Sequence, residues 1–436
     1  MSPRRGFLSQ AITLAGGTMI AQGLALAVTP LVARLYGVED FGVFALYAVT
    51  VGVPGVAVCW LYEPAILIPK DETEARDILF LSLAITVFMA LLFTLPLLAA
   101  SRVADAFNAP QLAPWLVFVP IHLLALGVTQ ALTYWLTRRS AFGRLSGSRV
   151  TQAIVTSGTQ VAAGATIPGP VGLIGGQLAG QLAAAAWLGR GAVRGEKGIE
   201  STRPTLTRLM AVMRRYYRFP LYSGVGTVLG AISLQIVPVL LAREFSATEA
   251  GLYFFGARLM SAAVLLASTS VGQVFAQRAA LEMHEGRGVG PLVERVVVRL
   301  ALLAVAGFGS LVLLGPMAFR VAFGAEWVES AYYLRLVTPL YFFQLLASPV
   351  SGLLFLLEKQ QIAAGMQVAL LVSAAGSLIL AQSLSLSARG TLGLYGAAQG
   401  VIYLAYLFAI LRVASASARG ILRALLSPGP LLATLR

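Results

Sequence analysis

Four ionisable residues stand in or beside long apolar runs of this sequence, and they limit the chemistry open to it. Arg258 lies about seven residues into one such run, roughly 10 Å deep at the helical rise, and Arg335 lies at similar depth in a second if that helix begins near Glu329. His122 lies at a similar depth in a third run, and Glu63 stands close to the end of a fourth. Ionisable groups are costly in hydrocarbon, so those retained there are candidates for function. A guanidinium stays charged and donates paired hydrogen bonds, which suits an anionic phosphate. The same long side chain also fits an anchor that reaches back to the interface. Glu63 fits proton or sodium coupling, a partner for an arginine, or an interfacial cap. His122 fits ion coupling or a hydrogen-bonded structural role. Arg34, just past the first run, fits either a guard at an outer mouth or a structural turn. Gln22 and Gln235, with Gln130, Gln273 and Gln344, offer hydrogen bonds to sugar hydroxyls or between helices. Cys59 is the only cysteine, so there is no disulfide framework and no cysteine-based metal site. No nucleotide-binding loop occurs, and no cofactor is expected.

The elements that position these residues are membrane spans. Hydrophobic residues make up 58% of the 436 and charged ones only 11%, with a mean hydropathy of +0.81. Soluble domains carry about 25% charged residues, so lipid must be the outer solvent. Apolar runs long enough for a helix to cross the hydrocarbon fall near 8–33, 41–61, 78–100, 112–136, 150–167 and 171–188. Six more fall near 219–242, 251–275, 300–319, 331–357, 362–384 and 392–411. The pair 150–167 and 171–188 is rich in Gly, Gln and Ala; without it the count drops from twelve to ten. No run alternates with the period of a transmembrane barrel. The first run, preceded by Arg4 and Arg5, is read as a span rather than a cleaved signal.

Basic residues give a direction. With both ends in the cytoplasm, 25 of the 32 Lys and Arg fall on the inner side and five on the outer. Arg258 and Arg335 are the two left over. The positive-inside rule predicts this asymmetry. The formal charge of +14 is therefore a topology signal beside anionic lipid, not a nucleic-acid surface. The acidic run from Asp71 to Asp77 is read as a solvated loop that starts the third helix, and residues 323–327 as an interfacial aromatic belt rather than a sugar-stacking platform. Residues after Arg412 form a basic amphipathic tail.

The longest loop divides the runs six and six. Four segments are expected: a lobe over 1–189, a basic linker over 190–218, a lobe over 219–412 and the tail over 413–436. Arg34 to Gly42 matches Arg243 to Gly251 at an offset of 209, each with Arg, an aromatic two later, an acid six later and Gly eight later. Arg102-Val-Ala recurs at Arg320, and Thr137-Arg138 lines up with Glu358-Lys359. Together these suggest parallel duplication, an arrangement in which transporters run a substrate path between two bundles.

The stretch Thr29 to Gly42 (TPLVARLYGVEDFG) resembles the first-loop signature of bacterial polysaccharide flippases of the Wzx type. So does Leu61 to Lys70 (LYEPAILIPK), and later pieces agree: Phe142-Gly-Arg144, Gly172 to Gly176, Tyr217 to Tyr222, Gly272 to Arg278 and Phe323 to Trp327. The resemblance runs from about residue 8 to 412 and implies the multidrug/oligosaccharidyl-lipid/polysaccharide exporter superfamily. It implies an all-α, MATE-like architecture of twelve helices in two six-helix lobes. The implied cargo is an undecaprenyl-pyrophosphate-linked glycan, crossing the bacterial inner membrane by alternating access for O-antigen or exopolysaccharide synthesis. A polysaccharide polymerase and a chain-length regulator are the implied protein partners.

Two other functions compete. A drug/cation antiporter of the same superfamily favours acids buried in the lobes, and this chain offers Glu63 and little else. A membrane glycan polymerase or ligase needs a sizeable outer loop, and the outer loops here are only about four to ten residues long.

Overall fold

The computed structural model describes residues 3–194, 204–217 and 219–426; residues 195–203 and 218 of the expected linker, and 427–436 of the expected tail, lie outside it. Among the described residues all regular structure is helical. This is what hydrocarbon demands of a chain whose backbone groups must be satisfied within their own segment.

The principal helices are α1 (Pro3–Leu35), α2 (Val38–Gly55), α3 (Glu72–Leu92), α4 (Val119–Arg138), α5 (Phe142–Gly164) and α6 (Val171–Arg194). They continue with α7 (Leu206–Arg215), α8 (Gly224–Glu244), α9 (Ala247–His284), α10 (Gly290–Ala322) and α11 (Val328–Ala347). The last are α12 (Gln360–Ser383), α13 (Ala388–Val413) and α14 (Ala418–Leu426). Nine stretches among the described residues are long and apolar enough to cross a membrane, and α8 makes a tenth if its two halves form one bent span. Its bend, 40° between Ser233 and Gln235, has a cause in the sequence. Pro238 has no N–H to give the carbonyl of Leu234, four residues back. α5 and α11 coincide with the other two expected spans. They are long enough, but α5 carries Ser, Thr and Gln along its length, and α11 carries Glu329 and Arg335.

The chain groups into two compact units, Met1–Gly251 and Leu252–Arg436. In the first, small residues let helices touch. A Cβ on Gly176 would lie 2.6 Å from the Gln160 side chain, and one on Gly127 would lie 2.5 Å from the Thr86 hydroxyl. The low hydropathy of the 150–167 and 171–188 runs follows from this packing. Gln160 is buried and gives its amide to the Leu173 carbonyl at 3.3 Å, while Gln152 gives its own to Gln181 at 2.7 Å. In the second unit α13 packs on α11 the same way. A Cβ on Gly400 would fall 2.9 Å from Pro339.

The second expected span ends early. Pro54 and Gly55 close α2, and Trp60 and Leu61 take left-handed conformations (φ 49° and 57°) before a 3-10 turn, Glu63–Leu67. The acidic run is not simply solvated. Asp71 caps α3, accepting from the amides of Thr73 (3.1 Å) and Glu74 (3.3 Å), and these amides hold its carboxyl below the usual range. Glu74 and the buried Asp77 pair with the linker helix α7, through Arg215 (2.7 Å) and Arg208 (2.9 Å). The Phe323–Trp327 segment is likewise not a belt. Trp327 is fully buried, its ring 4.2 Å from that of Phe255. The tail begins as the helix α14, with Ile421 buried and Leu422 exposed.

The matched turns share one design. Arg34 and Arg243 stand in the last turns of α1 and α8, where a cation complements the helix dipole. Gly37 and Ser246 precede the next helices, whose first turns hold Glu39, Asp40 and Glu249. The Gly37 amide donates to Asp40 at 3.1 Å, and the Glu249 amide donates to the Ser246 hydroxyl at 3.2 Å. The two matched glycines then meet. A Cβ on Gly42 would fall on the Ala247 carbonyl, and one on Gly251 would fall on the Val38 carbonyl and 2.6 Å from the Gly42 nitrogen. Gly42→Ala is therefore expected to destabilise the fold by about 1–3 kcal/mol. Gly23→Ala, where a Cβ meets nothing within 4 Å, should be neutral or better. Thermal unfolding of the two variants in detergent checks this, and equal midpoints would refute the close crossing.

Candidate functional site

The first unit holds a buried carboxylate. The Glu63–Leu67 turn packs between α3 and α4, and Glu63 is only 4% exposed. Its Oε2 is buried without a hydrogen-bond partner. Around it lie Cys59 and Tyr134, both within electrostatic reach. Cys59 in turn meets the Thr86 hydroxyl at 3.2 Å and the Gly127 carbonyl at 3.4 Å. The nearest tie holding the turn is Arg138, which donates to the Ile66 carbonyl at 3.1 Å and pairs with Glu72 at 3.2 Å. An arginine from α4 thus serves the turn, while the carboxylate itself is left open to a small cation or a proton.

His122 is buried on α4, with Nδ1 3.1 Å from the hydroxyl of the fully buried Tyr47 on α2. This geometry is a satisfied hydrogen bond between neighbouring helices. Gln22 is half-buried on α1. Gln235 sits just past the bend in α8, with its amide nitrogen 2.6 Å from where a Cβ on Gly52 would lie, so it fills the groove that this glycine leaves on α2. Arg34 is exposed in the last turn of α1.

The second unit contains Arg258 and Arg335, and it does not join them. Arg335 turns toward α10, its Nη2 3.5 Å from the Leu313 carbonyl and its guanidinium 5.1 Å from the Tyr332 ring. Arg389 approaches the same ring at 5.1 Å while it grips Glu329 with two hydrogen bonds of 2.6 Å. Arg258 is different. α9 begins at Ala247, so Arg258 lies eleven residues in, about 16 Å along the axis and deeper than the sequence implies. Its side chain is exposed, as are those of Ser261 and Thr269. Spacings of three and eight put all three on one face of the helix. A polar, accessible stripe on an otherwise apolar span fits a water-filled cleft better than lipid.

Sequence reasoning missed a second polar feature. Tyr253, Tyr341 and Tyr395 are each 5% exposed and interact with one another in the interior of the second unit. Tyr341 also donates to the Ala257 carbonyl at 3.5 Å, and Gln344 donates to Tyr403 at 3.1 Å. The signal was present: Tyr395 and Tyr403 are eight apart on one helix, hence on one face. Among the described residues no cluster of His, Cys, Asp or Glu has the makings of a metal site.

A family model described as "Polysaccharide biosynthesis protein" matches residues 31–332. The chain belongs to the polysaccharide biosynthesis protein family. No curated protein matches it. Among solved structures, this family member is similar to the lipid II flippase MurJ in an inward closed conformation, with a TM-score of 0.75 and 12% identity over 97% of this chain and 92% of that one. It is also similar to an inward-facing multidrug resistance MATE family transporter of the MOP superfamily (TM-score 0.65, 13% identity, 93% and 98% covered). A third is a MOP superfamily transporter from Pyrococcus furiosus whose binding pocket is described as reversed in polarity (0.59, 14%, 95% and 97%). At such identities the likeness establishes the fold, an all-helical membrane architecture of the MurJ and MATE type. These fold neighbours are themselves a flippase and transporters.

The Tyr47–His122 contact gives a direct check on the histidine. Tyr47→Phe leaves Nδ1 without its buried partner, which costs about 1–3 kcal/mol. A lowered unfolding midpoint with unchanged export is the expected result. Lost export at wild-type stability would give His122 a part in transport instead.

Proposed function

We propose that the protein flips a polyprenyl-pyrophosphate-linked oligosaccharide from the inner to the outer face of the bacterial inner membrane for surface polysaccharide synthesis. The observation that carries this reading is Arg258, a deep arginine exposed as a residue in a polar stripe on α9. It suits a diphosphate because it offers a permanent charge and paired donors at the depth where the head group leaves water. Ser261 and Thr269 add hydroxyls that a sugar can bond. The excess of Lys and Arg on one side of the spans supports both ends being cytoplasmic. Two six-helix lobes working by alternating access are the arrangement this requires. A polymerase and a chain-length regulator are then the natural protein partners, since the flipped unit is their substrate.

The proposed energy input is a proton or sodium ion taken up at Glu63, whose buried and unpartnered oxygen is the feature that supports it. The same carboxylate favours a second reading, export of an organic cation. The accessible charge within the spans of the second unit is an arginine, however, and that weighs toward an anionic cargo.

Deleting the gene should trap lipid-linked repeat units on the cytoplasmic face and strip the surface glycan. Normal surface glycan in the deletion strain, with raised sensitivity to cationic drugs, would move the assignment to the cation exporter. Arg258→Ala is expected to abolish export at unchanged protein level, with Arg258→Lys restoring part of it. Wild-type export by the Ala variant would remove the arginine from the path. Glu63→Gln keeps the shape of the side chain and removes its charge. It should stop accumulation driven by an imposed ion gradient in proteoliposomes while the protein still binds cargo, and undiminished gradient-driven transport would eliminate the coupling role.

A further inference from the structure

The second unit carries a basic cluster that takes no part in the stripe on α9. Tyr332, in the second turn of α11, has two guanidinium groups beside its ring. Those of Arg335 and Arg389 each lie 5.1 Å from the ring centre, so they are at most twice that distance apart. Arg389 stands in the first turn of α13 with its side chain 58% exposed.

Only one of these two charges is met. Glu329 takes the Nε and Nη2 bonds of Arg389, both 2.6 Å, which leaves that arginine Nη1. Arg335 has one long bond from Nη2 to the Leu313 carbonyl, 3.5 Å, which cancels no charge. Its Nε is buried without a hydrogen-bond partner. Among the described residues it has no partner besides this carbonyl and the Tyr332 ring. The sequence of the unit holds six side-chain carboxylates, and all six are described. Glu282 and Glu285 pair with Arg287, Glu294 accepts from the Ser417 amide, and Glu329 is taken. Glu326 and Glu358 are exposed and form no ion pair with Arg335. A guanidinium stays charged even inside a span, where a charge without a counter-charge is costly. An anion from outside the chain would supply what is missing.

The surroundings indicate what brings that anion. Ala306, Ser310, Leu313 and Met317 of α10 are all exposed, at spacings of four, three and four. One largely apolar face of α10 is therefore open beside the guanidinium, and in a membrane span such a face meets hydrocarbon. Tyr332 and the exposed start of α13 have the character of a head-group boundary. The Lys and Arg excess at the opposite helix ends supports an outer-leaflet level for this one.

We propose that Arg335 and Arg389 form a binding site for the phosphate head of an outer-leaflet lipid, with its chain along the open face of α10. The unused Nη donors of two guanidinium groups suit the several oxygens of a phosphate. Such a phosphate has two sources at this level, an anionic phospholipid or a lipid-linked diphosphate. The inference does not rest on the transport reading, and its test involves no transport.

Full-length protein in detergent is titrated with phosphatidylglycerol, undecaprenyl diphosphate or diacylglycerol, and bound lipid is counted by native mass spectrometry. Wild type should hold one phosphate lipid tightly and no diacylglycerol. Arg335→Gln should bind about tenfold more weakly, with Arg335→Lys between the two. Arg389→Gln should also weaken binding, because it frees Glu329 to pair with Arg335; this exposed position covers the case of an Arg335 variant that fails to fold. Arg412→Gln, at the other end of α13, should bind as wild type does. Preference for phosphatidylglycerol would identify a resident lipid, and preference for undecaprenyl diphosphate a docking point for a lipid-linked diphosphate; both uphold the site. Wild-type affinity in folded Arg335→Gln or in Arg389→Gln, equal loss in Arg412→Gln, or equal binding of diacylglycerol would overturn it.

Discussion

Helices in hydrocarbon gain nothing by turning apolar side chains toward one another, because lipid is as apolar as leucine. What holds them is close approach and the few hydrogen bonds that close approach allows. This constraint explains the placing of the glycines that matter in this chain. Gly127 admits the Thr86 hydroxyl, Gly176 the stem of Gln160, and Gly400 the ring of Pro339. It also explains why polar side chains in the spans are found where a backbone has come near. Gln130 reaches the Gly55 carbonyl at 3.0 Å, and the Tyr36 hydroxyl reaches the Gln160 carbonyl at 2.6 Å. Each bond is worth only about 1 kcal/mol, so the set of them, rather than any one, fixes the packing.

Against this background, polar groups that no such packing explains stand out. Glu63 is buried with one oxygen unpartnered, although Arg138 ties down the same turn through the Ile66 carbonyl. Arg258 lies on an accessible face with Ser261 and Thr269, whereas Arg335 is folded against α10 and an aromatic ring. Two arginines that look equivalent in sequence thus differ in their surroundings.

Much of the fold was legible because it is written in composition and in spacing of the same kind that lipid reads. Run lengths marked most spans, and the matched turns marked where helices break. The pair now seen as α5 and α6 was hard to read for a physical reason. Its interior faces are built from Gly, Gln and Thr that satisfy one another, and hydropathy counts such residues as if water faced them. The acidic run misled for the opposite reason, since its partner helix α7 lies more than a hundred residues later and only folding brings Arg208 and Arg215 to it. Trp327 misled too: its neighbour Phe255 is far away in sequence, so a core residue looked like an interfacial one. The candidate site was legible residue by residue but not as a geometry. Which side chains are reachable depends on helix rotation, and a single sequence specifies that only loosely when both lipid and cleft border the same span.

The crossing at Gly42 and Gly251 has a consequence beyond packing. Each glycine lies on the carbonyl four residues before the other, so the contact is its own mirror under exchange of the two turns. Such reciprocity is the mark of an isologous interface, in which one patch meets a second copy of itself. A chain that arose by joining two copies of a shorter one would inherit that contact ready-made. In the shorter ancestor one base change at the glycine codon would have damaged the interface from both sides at once. After such a fusion the two positions would be separate targets, yet neither can gain a side chain alone, because each backbone is the surface on which the other rests. The pair is therefore expected to stay glycine longest while the sequences around it drift apart.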